Sequence, residues 1–161
     1  MRTLLLMRHA RAEPDTGDDK ARQLLPEGRQ DAGRIGHFMH GEFGKPGSVV
    51  ASEAVRARQT SQIVASALGV PDRVLVEPRA YTFEGDELLA VLRDAPDVSF
   101  LLLIAHSPAL EEMTGKLVGT SAAQVRLPPG GFVHLVFESE RWDDVEAGAA
   151  RLLGLVTPAT L

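Results

Sequence analysis

The chain begins with a short, mostly apolar run, residues 3–7, that stops at the sequence Arg8-His9-Ala10-Arg11. A run of this length without polar alternation is typical of a strand that is buried on both faces, as in the interior of a parallel sheet. Open α/β sheets bind their ligands at the carboxyl ends of such strands. The sequence therefore predicts that His9 lies in a ligand crevice at the end of a strand.

A second and more apolar run, residues 99–105, has the same pattern and ends in His106. Ser107 and Pro108 follow it and are typical of the start of a helix. Further strands are predicted at residues 48–52, 74–76, 130–138 and 151–157, with helices that begin near residues 26, 54, 87 and 107. Alternating strands and helices predict a three-layer α/β/α sandwich. A chain of 161 residues suits one domain, residues 1–161.

Arginines on both sides of His9 predict a neutral and nucleophilic imidazole. Nearby guanidinium groups disfavour a second positive charge, so Arg8 and Arg11 should lower the pKa of this histidine. The same groups can bind a phosphate through paired hydrogen bonds. Cationic side chains are also concentrated here, since residues 1–58 hold ten Lys and Arg against eight Asp and Glu, and the remainder holds seven against fourteen. This stretch predicts a phosphoryl acceptor.

Three motifs resemble, in the same order, those of the histidine phosphatase superfamily, the phosphoglycerate-mutase-like proteins. They are LLLMRHA at residues 4–10, SEAVRARQT at residues 52–60 and LLLIAHSP at residues 101–108. Ala replaces the Gly of the family's Arg-His-Gly, as in the short bacterial branch that resembles SixA phosphohistidine phosphatases. The resemblance implies a mixed, mostly parallel sheet of about six strands with one antiparallel strand, residues 131–138. It also implies that His9 is phosphorylated during turnover.

The resemblance assigns further roles around His9. Arg8, Arg56 and His106 are expected to stabilise the phosphoryl oxygens, whereas Arg58 falls on a variable position of the second motif. The arginine of that motif grips the phosphate from the first turn of a helix. A helix N-terminus adds backbone N–H groups and a positive dipole end to the guanidinium, so the assignment to Arg56 makes physical sense.

Two other residues are candidates for the same site. Arg22 matches a phosphate-side, substrate-binding arginine of the SixA-like branch, and the alternative is a solvated loop arginine. The general acid of relatives that cleave phosphate esters is expected in residues 81–86. Glu84 is the first candidate and Asp86 the second. Each could instead be a solvated loop residue or the cap of a helix, and a helix cap is the prediction for Asp86.

Composition limits the other classes of function. The absence of Cys excludes a cysteine-nucleophile phosphatase, and the net charge of −5 argues against nucleic acid or an anionic membrane as a partner. Neither a transmembrane stretch nor a signal peptide is predicted, so a cytoplasmic location is expected. No metal or other cofactor is expected, because arginines supply the positive charge. His37 and His40, three residues apart, more often complement a helix C-terminus than bind a metal.

The sequence thus predicts a metal-independent phosphatase that acts on phosphohistidine, or on another phosphorylated side chain of a protein. The alternatives are a small-molecule phosphomonoesterase of the same fold, a phosphate-binding module without activity, and a two-histidine metallohydrolase, for which strand-end carboxylates are missing. In larger members of the family the connection at residues 77–99 is expanded into a helical lid. Its shortness here predicts an open crevice that admits a phosphate projecting from another protein.

Overall fold

The computed structural model describes residues 1–120 and 125–161. Within these residues, six strands and four α-helices largely alternate along the chain. The strands are β1 (Arg2–Arg8), β2 (Ser48–Ser52), β3 (Val74–Glu77), β4 (Phe100–Ala105), β5 (Phe132–Phe137) and β6 (Ala150–Val156). The helices are α1 (Pro26–Phe43), α2 (Val55–Ala67), α3 (Gly85–Arg93) and α4 (Ala109–Val118). Each predicted strand and helix is present, with differences confined to its ends.

The strands form one sheet in the order β3-β2-β4-β1-β5-β6. The pairs β1 with β4, β4 with β2 and β2 with β3 are parallel. Among the described strands, β5 alone runs in the opposite direction to the others, and it pairs antiparallel with β1 and β6. The prediction of a mixed, mostly parallel sheet with one antiparallel strand is therefore confirmed, and that strand lies within residues 131–138.

Alternate side chains of β1 enter two separate cores. Leu4 and Leu6 pack with the apolar residues of α3 and α4, whereas Leu5 and Met7 pack with those of α1 and α2. All four side chains are fully buried, as expected for a strand with helices on both faces. The sheet is thus the middle layer of the predicted α/β/α sandwich.

Two helix starts differ from the predicted ones, and at α3 a tertiary contact replaces the local cap. The backbone N–H of Gly85 donates to Glu112 Oε1 of α4 at 2.9 Å, so α3 begins before Asp86, which lies inside its first turn. A side chain at Gly85 would lie 2.7 Å from the Cβ of Glu112, and this close packing requires glycine. The prediction that Ser107 caps the next helix is also wrong, because α4 begins at Ala109 with Pro108 at its N-cap.

Candidate active site

The two strand-end histidines lie side by side. β1 and β4 are neighbours, and Arg8 pairs with Ala105 at the last position of their register. The next residue of each strand is a histidine, and the ring centroids of His9 and His106 are 5.2 Å apart. Both side chains are buried. The parallel arrangement of the strands is what brings together two residues that are far apart in sequence.

Arg56 connects the two rings. It lies in the first turn of α2, its side chain is only 2% exposed, and its Nε–H donates to His9 Nε2 at 3.2 Å. Its NH2 group is 3.3 Å from His106 Nδ1. Arg58 instead is exposed and donates only to the carbonyl of Glu53. Of the two arginines in the second motif, the structure places Arg56 against the histidines.

His9 is held in one tautomer. Its Nδ1 lies 2.8 Å from the carbonyl oxygen of Ala10, and because a carbonyl only accepts, Nδ1 carries the proton. The Nε2 lone pair therefore faces Arg56. The pKa of His9 is lowered to about 3, mainly by burial and in smaller part by the nearby His106, Arg56 and Arg8, while the hydrogen bond to the Ala10 carbonyl acts to raise it. The predicted direction is correct, although burial rather than the arginines is the main cause.

His106 carries its proton on the opposite ring nitrogen from His9, on Nε2 rather than on Nδ1. Its Nδ1 accepts from the Arg56 guanidinium, so its Nε2–H donates to Ser52 Oγ at 2.7 Å. Burial lowers the pKa of His106 to about 4, and the positive charge of Arg56 adds to this effect. Ser52 is the last residue of β2, so a third parallel strand contributes to the same edge of the sheet.

The backbone after His9 is held from two sides. The N–H of Ala10 donates to Thr60 Oγ1 of α2 at 3.0 Å, and the N–H of Gly130 donates to the His9 carbonyl at 3.0 Å. No described residue other than glycine has a positive φ, so alanine is accommodated where the family motif has glycine.

Gly28 also lies here, and a Cβ on it would meet the Arg11 carbonyl at 2.1 Å. This packing fixes α1 against the segment that carries the histidine.

The remaining predicted arginines take different positions. Arg8 is half-buried, donates to the Leu127 carbonyl at 2.9 Å, and has a buried Nε without a partner among the described residues. Burial lowers the pKa of Arg8, the carboxylate of Glu111 acts to raise it, and the charges of Arg56 and Arg22 act to lower it. The side chain of Arg11, the other arginine near His9 in the sequence, is exposed.

Glu84 and Asp86 do not contact the histidines. Glu84 is exposed at the N-cap of α3, and Asp86 forms an ion pair with Lys116 of α4. The residue before Glu84, Phe83, does reach the site, with its ring centroid 5.7 Å from that of His106. Glu84 therefore lies one residue from the rim of the crevice.

Sequence reasoning missed Asp19 and Tyr81. Asp19 Oδ2 accepts from Arg56 NH2 at 3.0 Å and from the Tyr81 hydroxyl at 2.5 Å, while its Oδ1 accepts from Arg22 at 2.9 Å. Partial burial acts to raise the pKa of Asp19, but hydrogen bonds from Tyr81, Arg22 and Arg56 hold it well below its usual value. Asp19 is therefore ionised, and it brings Arg22 into the same network.

No cluster of three or more His, Cys, Asp or Glu side chains with the spacing of a metal site occurs in residues 1–120 and 125–161. In the same residues, every helix is too short or too polar to cross a membrane.

Comparison with known proteins identifies the family to which this arrangement belongs. Residues 4–87, more than half of the chain, match the pattern of the histidine phosphatase superfamily (branch 1). The chain belongs to the histidine phosphatase superfamily. An uncharacterised protein of Mycobacterium tuberculosis is 32% identical over 162 residues, covering 94% of this chain and 99% of that protein. An uncharacterised protein of Mycobacterium leprae is 27% identical over 165 residues, with the same coverage.

Solved structures of this superfamily share the whole fold. A protein from Nakamurella multipartitia assigned as a phosphohistidine phosphatase SixA is 29% identical, covers 98% of this chain and 96% of its own, and has a TM-score of 0.83. The protein histidine phosphatase SixA complexed with tungstate has the same TM-score at 20% identity, over 98% of both chains. A mycobacterial glucosyl-3-phosphoglycerate phosphatase is 15% identical with a TM-score of 0.72, over 94% of this chain and 97% of its own. The fold is thus common to phosphatases of proteins and of small molecules.

Proposed function

We propose that the protein hydrolyses phosphohistidine, or another phosphorylated side chain, on a protein substrate through a covalent phosphohistidine intermediate on His9. The observation that most supports this is the buried, neutral His9 ring, whose Nε2 lone pair lies 3.2 Å from the Arg56 Nε. A nucleophile must be unprotonated to attack phosphorus, and guanidinium groups must lie where the phosphoryl oxygens bind. Both conditions are met at this one point of the molecule.

The first step transfers the phosphoryl group to His9. As Nε2 forms a bond to phosphorus, the bond from phosphorus to the leaving group breaks, and its electron pair goes to the leaving group. Arg8 and Arg56 bind the phosphoryl oxygens, and Arg22 binds the substrate from its loop. His106 joins them once the bound anion favours protonation of its Nδ1, which in the free protein accepts from Arg56. The Ala10 carbonyl continues to accept from Nδ1–H, which keeps the ring oriented and stabilises the positive charge that develops on it.

The leaving group needs a proton, and Glu84 is the proposed donor for substrates that require one. Its side chain is exposed, and Phe83, the preceding residue, contacts His106. Asp86 is less suited because it is paired with Lys116. A phosphohistidine leaving group can already be protonated near neutral pH, so it depends less on this donor than a serine or sugar phosphate does.

The second step regenerates the enzyme. A water molecule forms a bond to phosphorus while the bond from phosphorus to Nε2 breaks, and the electron pair returns to the ring. The proton that the water loses is taken by the Glu84 carboxylate or by solvent, and inorganic phosphate leaves. No metal is needed in this proposal, because three arginines supply the positive charge.

A protein substrate is proposed because the connection between β3 and β4 is short, with its Tyr81 and Phe83 rings packed beside His106. It contains the nine-residue helix α3, whose Gly85 packs against Glu112 of α4 on one face of the sheet. We expect a site beside so short a connection to surround a small molecule poorly and to admit a phosphorylated side chain. The small-molecule alternative stays open because a glucosyl-3-phosphoglycerate phosphatase has the same fold.

Acid-labile labelling tests the mechanism. The purified protein is incubated with a phosphodonor, quenched at high pH and analysed by mass spectrometry, and the label is expected on His9. Label on His106, or none on a protein that turns over substrate, would contradict the mechanism.

Comparing kcat/KM for a phosphohistidine peptide, a phosphoserine peptide and sugar phosphates tests the substrate class. We expect the phosphohistidine peptide to give the highest value. A higher value for a sugar phosphate would overturn the protein substrate and leave the His9 mechanism intact.

A further inference from the structure

A carboxylate of the protein itself occupies part of the cationic site. Asp19 opens a single 3-10 turn, Asp19–Ala21, in the loop that follows β1. Its backbone carbonyl accepts from Arg56 NH1 at 2.7 Å, and its side chain accepts from Arg56 NH2 at 3.0 Å. Asp19 therefore binds both terminal nitrogens of the arginine that bridges the two histidines.

The donors around this carboxylate are of the kind that binds a phosphoryl group. Two guanidinium groups, of Arg56 and Arg22, and the Tyr81 hydroxyl donate to its two oxygens. Guanidinium forks bind carboxylates and phosphates in the same planar geometry. Two of the three arginines proposed to hold the substrate phosphate are thus already satisfied by an anion in the free protein.

The Asp19 carboxylate is also close enough to solvent to move away from the guanidinium groups. Its side chain is 27% exposed, whereas that of Arg56 is 2% exposed. Rotation of the carboxylate toward water would exchange its three hydrogen bonds for hydration, while the buried guanidinium needs a replacement anion. An entering phosphate supplies that anion and brings more acceptor oxygens than a carboxylate.

We propose that Asp19 is an internal competitor of the substrate, whose carboxylate occupies the phosphate site in the free protein and is displaced when a phosphoryl group binds. This inference rests on the proposed function only in requiring that the site bind phosphate. Competition of this kind weakens the binding of substrate and of the product phosphate alike, so it raises KM and speeds release of the product. Asp19 would then set the affinity of the site without touching the reacting atoms.

The binding of inorganic phosphate, measured by titration calorimetry on the full chain, tests this directly. Asp19→Asn keeps the size of the side chain and removes its charge, and we expect it to tighten the Kd of phosphate at least tenfold. Asp18→Asn is the matched control, because Asp18 is the exposed neighbour and its side chain forms no hydrogen bond with a described residue. It should change the Kd less than twofold.

The opposite role for Asp19, as a residue that positions Arg56, predicts the opposite sign. In that case Asp19→Asn would weaken phosphate binding and lower kcat. Unchanged or weaker binding in Asp19→Asn would overturn the proposal, as would unchanged or weaker binding in Asp19→Ser if Asp19→Asn failed to fold. For a phosphatase that turns over, competition further predicts a lower KM for Asp19→Asn without a rise in kcat.

Phosphate binding requires no turnover, so the two proposals fail separately. If Asp19→Asn binds phosphate more tightly but the protein hydrolyses no phosphate compound, Asp19 is a competitor for the phosphate site and the proposed activity is refuted. Normal turnover with a phosphate Kd that Asp19→Asn leaves unchanged would do the reverse.

Discussion

Acid should destabilise this protein through its two buried histidines. The pKa of His9 is about 3 and that of His106 about 4 in the folded protein, because burial disfavours the charged ring. An unfolded histidine has a pKa of about 6.5. Below that value the unfolded chain binds protons that the folded chain does not, so the free energy of unfolding falls as the pH falls.

The size of the effect follows from these values. Between pH 8 and pH 5 the unfolded chain gains nearly one proton at His9, while the folded chain gains almost none. Integrating this difference gives a loss of about 2 kcal/mol from His9 and a similar loss from His106. Asp19 contributes little over this range, because its folded pKa is lowered and its unfolded pKa is about 3.9, so its contribution is lost only in stronger acid.

The assay is urea unfolding at pH 5, 6, 7 and 8 for the wild type and for His9→Gln. The variant should lose about 2 kcal/mol less between pH 8 and pH 5, whatever its stability at pH 8. His37→Gln, on the exposed face of α1, is the control and should keep the wild-type pH dependence. If His9→Gln also keeps that dependence, His9 titrates normally in the fold, and the argument for a neutral nucleophile fails.

Three further predictions concern activity. Arg56→Ala removes a buried donor of four hydrogen bonds and should lower kcat by about 10²–10³. Arg58→Ala removes one exposed hydrogen bond and should lower kcat less than threefold. Equal losses of kcat in a steady-state assay would show that the phosphate-binding arginine is misassigned. His9→Ala should abolish turnover while circular dichroism shows a folded protein, and retained turnover would remove His9 from the mechanism. EDTA should leave the rate unchanged, and a loss that added metal restores would favour a metallohydrolase.

The sheet was predictable because its two central strands are the most apolar runs of the chain. A strand buried on both faces has no polar alternation, and β1 and β4 show this directly in the sequence. The start of α3 was not predictable in the same way. It depends on Glu112, 27 residues away, whose carboxylate caps Gly85, and local sequence offered Asp86 as a more obvious cap.

Some residues of the candidate site were likewise predictable from the sequence, and others were not. His9, His106 and Arg56 are recognisable because each follows a strand or opens a helix, and parallel strands bring such ends together. Asp19 carries no such mark, since its loop also contains Asp15 and Asp18 and nothing in the sequence distinguishes the three. Its contact with Tyr81 spans 62 positions along the chain and exists only once the loop has folded over the sheet edge.

The hydrogen bonds of Arg56 also bear on the order of events in catalysis. In the free protein its Nε–H donates to His9 Nε2, whose lone pair attacks phosphorus in the proposed mechanism. The nucleophile is therefore oriented but occupied, and it becomes available only when other acceptors draw the guanidinium away. Phosphoryl oxygens are such acceptors, because they are anionic and replace both the ring nitrogen and the Asp19 carboxylate. We infer that binding of the phosphoryl group itself releases the His9 Nε2 lone pair from its hydrogen bond with Arg56. Attack on phosphorus therefore follows binding, and Nε2 stays bonded to Arg56 while the site holds only water.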